Sequence, residues 1–125
     1  MTPVDQSKLH DPDNGIMGDC WRACVASILD LPLGDVPELE SASDPYDTLS
    51  RWACLRGCYL LGFEPGNPPF GYSIAVGPSP RGKNRFHCCI AKDGEIVFDP
   101  HPDRTGLKEI HRFEVIRNAH ENDMC

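Results

Sequence analysis

The chain reads as an α+β domain, with two helices in its first half and a small antiparallel sheet in its second. Three observations predict this. Apolar residues recur at helical spacing only up to residue 60, and short apolar runs broken by turn signals follow from residue 72. Between two of those runs stands Asp93-Gly94, a strong short-range hairpin signal. Helices first and strands afterwards imply helices packed on an antiparallel sheet.

Residues 1–18 are polar, with Asp11-Pro12-Asp13-Asn14-Gly15 as a turn. Asp19 is the expected N-cap of a first helix, in which Trp21, Cys24, Val25, Ile28 and Leu29 recur at helical spacing until Pro32 stops the run. A short turn or a single helical turn is expected between Leu31 and Leu39. In the second helix Asp44 caps, Pro45 fills the first turn, and Tyr46, Leu49, Trp52, Ala53 and Leu60 form the stripe, with Gly57 or Gly62 closing it. Strands are then expected at residues 72–76, 86–91, 95–98 and 109–117, with a loop over residues 77–82.

A chain of 125 residues fits one domain spanning residues 1–125 and can hold a core without metal or disulfide staples. Its net charge of −7 argues against nucleic acid or an anionic membrane surface as the main partner. No basic-then-apolar leader and no long apolar run occurs, which points to a cytoplasmic protein. The seven cysteines are odd in number, and Cys20/Cys24 and Cys54/Cys58 each stand one helical turn apart, an awkward separation for a bridge. All seven are therefore expected as reduced thiols. Both close pairs fall within expected helices rather than zinc knuckles, so neither a metal nor a cofactor is expected.

Cys20 carries the chemistry. It opens a helix, where partial positive charge and unpaired N–H groups lower a thiol pKa and can hold an oxyanion. Cys24 lies one turn deeper, where burial raises the pKa instead. A thiolate nucleophile needs a base held by a third group. His87 opens the first strand of the Asp-Gly hairpin and Asp99 closes the second, so the two are expected side by side. His101 is the rival base, while His10, His111 and His120 read as solvated or packing residues.

The run Asn14-Gly-Ile-Met-Gly-Asp19-Cys20-Trp-Arg-Ala-Cys24 resembles the cysteine box of the papain-like peptidase domains that process bacteriocin leaders. Their second box, a His opening a hairpin that ends in Asp-Pro, resembles His87 through Asp99-Pro100. The resemblance spans residues 14–100. It implies a papain-like fold, with the nucleophile helix packed on a small antiparallel sheet, and cleavage of a peptide or related amide bond. It also implies that Asn14 supplies the oxyanion-hole amide, where the family has Gln. Trp21 replaces the family's Gly after the nucleophile, as in papain. The chain is also similar to short proteins of tailed-phage genomes.

The expectation is thus a cysteine peptidase or amidase acting on a peptide or protein substrate through a Cys20 thioester, with His87 as base and Asp99 as its orienter. Arg81 and Arg85 are placed at the cleft, where they favour an acidic residue or a carboxylate. Trp21 reads as core and, beside the nucleophile, as a candidate substrate contact. Two other readings keep the same residues: a degenerate papain-like domain that binds without cutting, for example as a phage-encoded inhibitor of a host factor, and an acyl transferase using the same triad.

Overall fold

The computed structural model describes residues 1–118, so His120 and Cys125 lie outside the described residues. It contains two α-helices, α1 (Cys20–Leu29) and α2 (Pro45–Leu55), and five strands, β1 (Cys58–Phe63), β2 (Tyr72–Pro78), β3 (Phe86–Lys92), β4 (Glu95–Phe98) and β5 (Arg112–Asn118). The strands form one antiparallel sheet in the order β1-β5-β2-β3-β4. The last strand is therefore inserted between β1 and β2, which closes the core over a long sequence separation.

Each helix stops for a local reason. Helix α1 ends where Asp30 turns left-handed, just before Pro32, and a 3-10 turn at Leu33–Asp35 follows. In α2 the Asp44 carboxylate accepts from the Asp47 N–H at 3.0 Å, and Gly57, at φ 75°, ends the run. The chain then enters β1 directly. Leu60, expected on the α2 stripe, belongs to this strand instead: the left-handed glycine turns the chain before the apolar pattern gives notice.

Both helices pack on one face of the sheet. Cys24 and Val25 of α1 and Leu49 of α2 meet Ile74, Val76, Cys88 and Ile90 of the central strands. The alternate residues Ala75, Ala91 and Phe113 form a second cluster on the opposite face. Cys88 and Cys89 thus face opposite sides, and both are buried.

The expectation of seven reduced thiols fails at Cys54, which is in a disulfide, whereas Cys20, Cys24, Cys58, Cys88 and Cys89 are free. The spacing argument bore on the pairs one turn apart and was silent on every other pairing.

The β3–β4 hairpin turns at Asp93 (φ 51°) and Gly94 (φ 88°), the two left-handed positions a tight two-residue turn needs. Ala91 pairs with Ile96 but Ile90 pairs with Phe98, so Val97 is an extra residue. That single insertion decides the face on which Asp99 lies. In a regular ladder Asp99 would fall opposite Cys88, on the helix side. With the bulge, the register continues to Cys89, on the face shared with His87.

Candidate active site

Residues 1–8 run back along α1 as a strap. Thr2 N–H donates to the Ser27 carbonyl and Val4 N–H to the Ser27 hydroxyl, and Gln6 N–H reaches the Pro100 carbonyl at 3.1 Å. The buried Asp19 carboxylate ties the strap to the start of α1, accepting from the Ser7 hydroxyl at 2.5 Å and from Lys8 N–H at 2.9 Å. Asp19 therefore occupies the expected N-cap position without capping through its side chain. Its negative charge is spent on the strap rather than aimed at the helix terminus, where it would oppose a thiolate.

Cys20 is the first residue of α1, and the first intrahelical bond runs from Ala23 N–H to the Asp19 carbonyl. The earlier N–H groups have no partner within the helix. The Cys20 thiol is held well below its ordinary 9.0, first by a hydrogen bond from the Cys88 thiol and then by His87, with the Cys88 backbone N–H adding to both against the penalty of burial. Cys88 moves the other way, well above its usual value, because it donates to Cys20 and is buried. The two shifts are opposite in direction, so of the two thiols Cys20 is the one favoured to ionise. Burial pushes Cys24 well above the thiol range, as the helix argument expected.

His87, buried on β3, engages Asp99 Oδ1 through Nε2 at 2.7 Å, which leaves Nδ1 for Cys20. Burial opposes its charge, but the contacts with Cys20 and then with Asp99 leave its pKa raised. Asp99 is also buried, yet its pKa is lowered, because it accepts from His87, from His101 N–H at 2.9 Å and from Gly106 N–H at 2.7 Å. The lowered thiol and the raised imidazole both shift in the direction that favours a thiolate–imidazolium pair, with the Asp99 carboxylate behind it. Gly77 pairs with His87 on β2. A Cβ at Gly77 would lie 2.0 Å from the Glu109 carbonyl oxygen, so only glycine lets that segment approach the strand beside His87.

Cys20 and His87 open onto a cleft of about 610 Å³ lined also by Gln6, Arg81, Arg85 and His101. Arg81 and Arg85 are brought to the site, as expected. Asn14 is not: it is exposed in a 3-10 turn (Pro12–Asn14), and its amide donates to Asp11 at 2.7 Å. The chain between Asp11 and Ile16 folds back on itself through a short bridge, which carries the Asn-Gly tip away from the thiol. Trp21 is also elsewhere, stacked on Tyr46 at 6.3 Å and packed against the core. Position 21 lies about 100° around the helix from position 20, so the two side chains leave on different faces.

Two side-chain amides do line the cleft, Asn84 and Gln6, and Gln6 is the one that the strap brings there. Its Nε2 donates to the Lys8 carbonyl at 2.8 Å, leaving one N–H over, and its Oε1 is buried with no partner among the described residues. Gly18 makes room for it, since a Cβ there would come within 3.3 Å of Gln6 Nε2. No residue pattern ties Gln6 to Cys20; only the strap does. His101, considered as a rival base, instead lines the cleft with its ring edge-on to His87 at 6.4 Å.

One donor of each of His87, Cys89 and Asp99 lies within 4.8 Å of the other two. These are three of the four ligands a tetrahedral zinc takes. Here two of them are joined directly by a hydrogen bond, and Cys89 is held protonated, its pKa raised first by burial and then by the neighbouring Asp99 charge.

No family model matches the chain, and no curated protein or solved structure matches it either. Among the described residues, no helix is long and apolar enough to cross a membrane.

Proposed function

We propose that this chain is a papain-like cysteine hydrolase that cleaves a peptide or related amide bond. One observation carries the reading: a thiol at a helix N-terminus is partnered by an imidazole whose far nitrogen is fixed at 2.7 Å on a buried carboxylate. His87 Nδ1 takes the Cys20 proton, and the thiolate attacks the carbonyl carbon. The oxyanion that forms is held by the Cys20 N–H and the Gln6 amide, which takes the role first assigned to Asn14. The intermediate collapses to a thioester as His87 protonates the leaving amine. His87 then deprotonates a water that cleaves the thioester and returns the free thiol. The net charge of −7 fits a substrate other than nucleic acid.

The test is the rate of Cys20 alkylation by iodoacetamide against pH, read by peptide mass spectrometry in the native protein and in C20A and H87A. Site-selective labelling well below the ordinary thiol pKa of 9.0 is expected, absent in C20A and displaced to higher pH in H87A. Labelling that rises only with an ordinary thiol titration, unaffected by H87A, would sink the reading.

A further inference from the structure

The cleft is charged against the rest of the molecule. The chain carries 19 acidic and 12 basic residues, yet among the described residues no carboxylate lines the cleft, while Arg81, Arg85 and His101 do. The carboxylates that adjoin it are engaged elsewhere: Asp19 by Ser7 and Lys8, Asp99 by His87 and the backbone after it, and Asp103 by Arg81 and His101.

The two arginines are not equivalent. Arg81 is committed, with its Nη1 on both oxygens of Asp103 at 2.9 and 3.1 Å and 4.0 Å from Asp99. Arg85 makes no ion pair among the described residues; its Nη2 donates to the Arg81 carbonyl at 3.1 Å, and the remaining donors are uncommitted. It is held in place nonetheless. The guanidinium lies against the backbone of Gly82, where a Cβ would stand 1.7 Å from Nη2, and Ser79 N–H closes the loop on the Arg85 carbonyl at 2.8 Å. A fixed guanidinium with free donors matches a carboxylate in shape and charge.

We infer that the substrate of this site carries a carboxylate, and that Arg85 receives it. Leu9, Met17 and Phe86, exposed at 45%, 56% and 61%, form apolar shoulders of the same cleft and suit an apolar group beside the charge. In a protein of net charge −7, such a local reversal draws an anionic substrate to the one place where the thiolate waits. The inference rests on the hydrolase reading, but its test is separate.

The test is a ratio of labelling rates at Cys20 with paired reagents that differ in charge. Iodoacetate is compared with iodoacetamide, and 3-maleimidopropionate with N-ethylmaleimide, so that the carboxylate stands at two reaches from sulfur. In R85Q the anionic-to-neutral ratio is expected to fall about fivefold or more in at least one pair. R85K should restore most of it, and K83Q, at an exposed residue outside the cleft, should leave it unchanged. Ratios equal to wild type for both pairs in R85Q overturn the inference. The ratio is measurable even if Cys20 reacts no faster than a free thiol, so failure of the hydrolase reading is seen separately, in the neutral reagents alone. Protection of Cys20 by millimolar N-acetylglutamic acid α-amide or by N-acetylalanine then names the source. Greater protection by the first assigns a side-chain carboxylate and by the second a chain terminus; protection by neither overturns the inference.

Discussion

Replacing Asp99 by Asn tests the site at its most constrained point. Asp99 is 3% exposed and accepts from His87 Nε2 at 2.7 Å, His101 N–H at 2.9 Å and Gly106 N–H at 2.7 Å, with the Arg81 guanidinium 4.0 Å away as a further positive charge. Asn offers one acceptor oxygen and an NH2 group that must face one of these donors. At least one charge-assisted bond is lost and one buried donor is left unpaired, a cost of about 2–4 kcal/mol. Urea unfolding followed by tryptophan fluorescence, with the slope unchanged, should report that loss at pH 7.

The pH dependence follows from linkage. The Asp99 carboxyl lies below its ordinary 3.8 in the fold, so its stabilisation is fully present above that value and is lost as pH falls through the folded value. The gap between D99N and wild type should therefore narrow below about pH 4. His87 lies above its ordinary 6.5, so its contribution is present below that value and is lost as pH rises through the folded value. D99N removes one support of that raised value, and the alkylation profile of Cys20 should move to higher pH. A variant within 0.5 kcal/mol of wild type at pH 7 would refute the claim that the carboxylate is ionised and bonded. A gap that does not shrink in acid would refute the linkage.

Three further outcomes are expected. Q6A should weaken the reversible adduct of Cys20 with a peptide aldehyde about tenfold, while N14A leaves it unchanged, both read by competition with iodoacetamide. G77A should cost about 1–3 kcal/mol in urea unfolding, because a methyl group cannot share space with the Glu109 carbonyl. Dialysis against a chelator should leave the alkylation profile unaltered; a profile abolished by the chelator and restored by zinc would assign His87, Cys89 and Asp99 to a metal.

What was legible in the sequence was local. Asp44, Pro45 and Gly57 bound α2 through their own backbone preferences, and Asp93-Gly94 made its hairpin for the same reason. The helix start at Cys20 and the juxtaposition of His87 and Asp99 were legible because a helix start and a hairpin are short-range objects. β1 was missed because Leu60 fits either a helical stripe or a strand, and its partners on β5 lie fifty to sixty residues away. Asn14 stands apart from the cleft because counting residues back from the thiol assumes an extended approach, and the Asp11–Ile16 bridge breaks it. Gln6 had no signal at all, since its place is set by bonds from Ser7 and Lys8 to Asp19.

The Val97 bulge shows how narrowly the chemistry depends on features that composition does not reveal. Side chains on a strand change face with every residue, so adding or removing one residue between Ala91/Ile96 and Asp99 moves a carboxylate from one side of the sheet to the other. On the helix side, Asp99 would enter the core of Cys24, Val25 and Ile90, where no donor replaces His87. On its actual face it meets His87 and the backbone N–H groups of His101 and Gly106. An ionised group buried there is stable only because its oxygens are already satisfied. The same satisfaction frees His87 from competing for a counter-ion and leaves its other nitrogen to the thiol. The bulge, the loop over residues 100–106 and the strap are thus parts of one arrangement, which satisfies the Asp99 carboxylate and leaves the other nitrogen of His87 to Cys20.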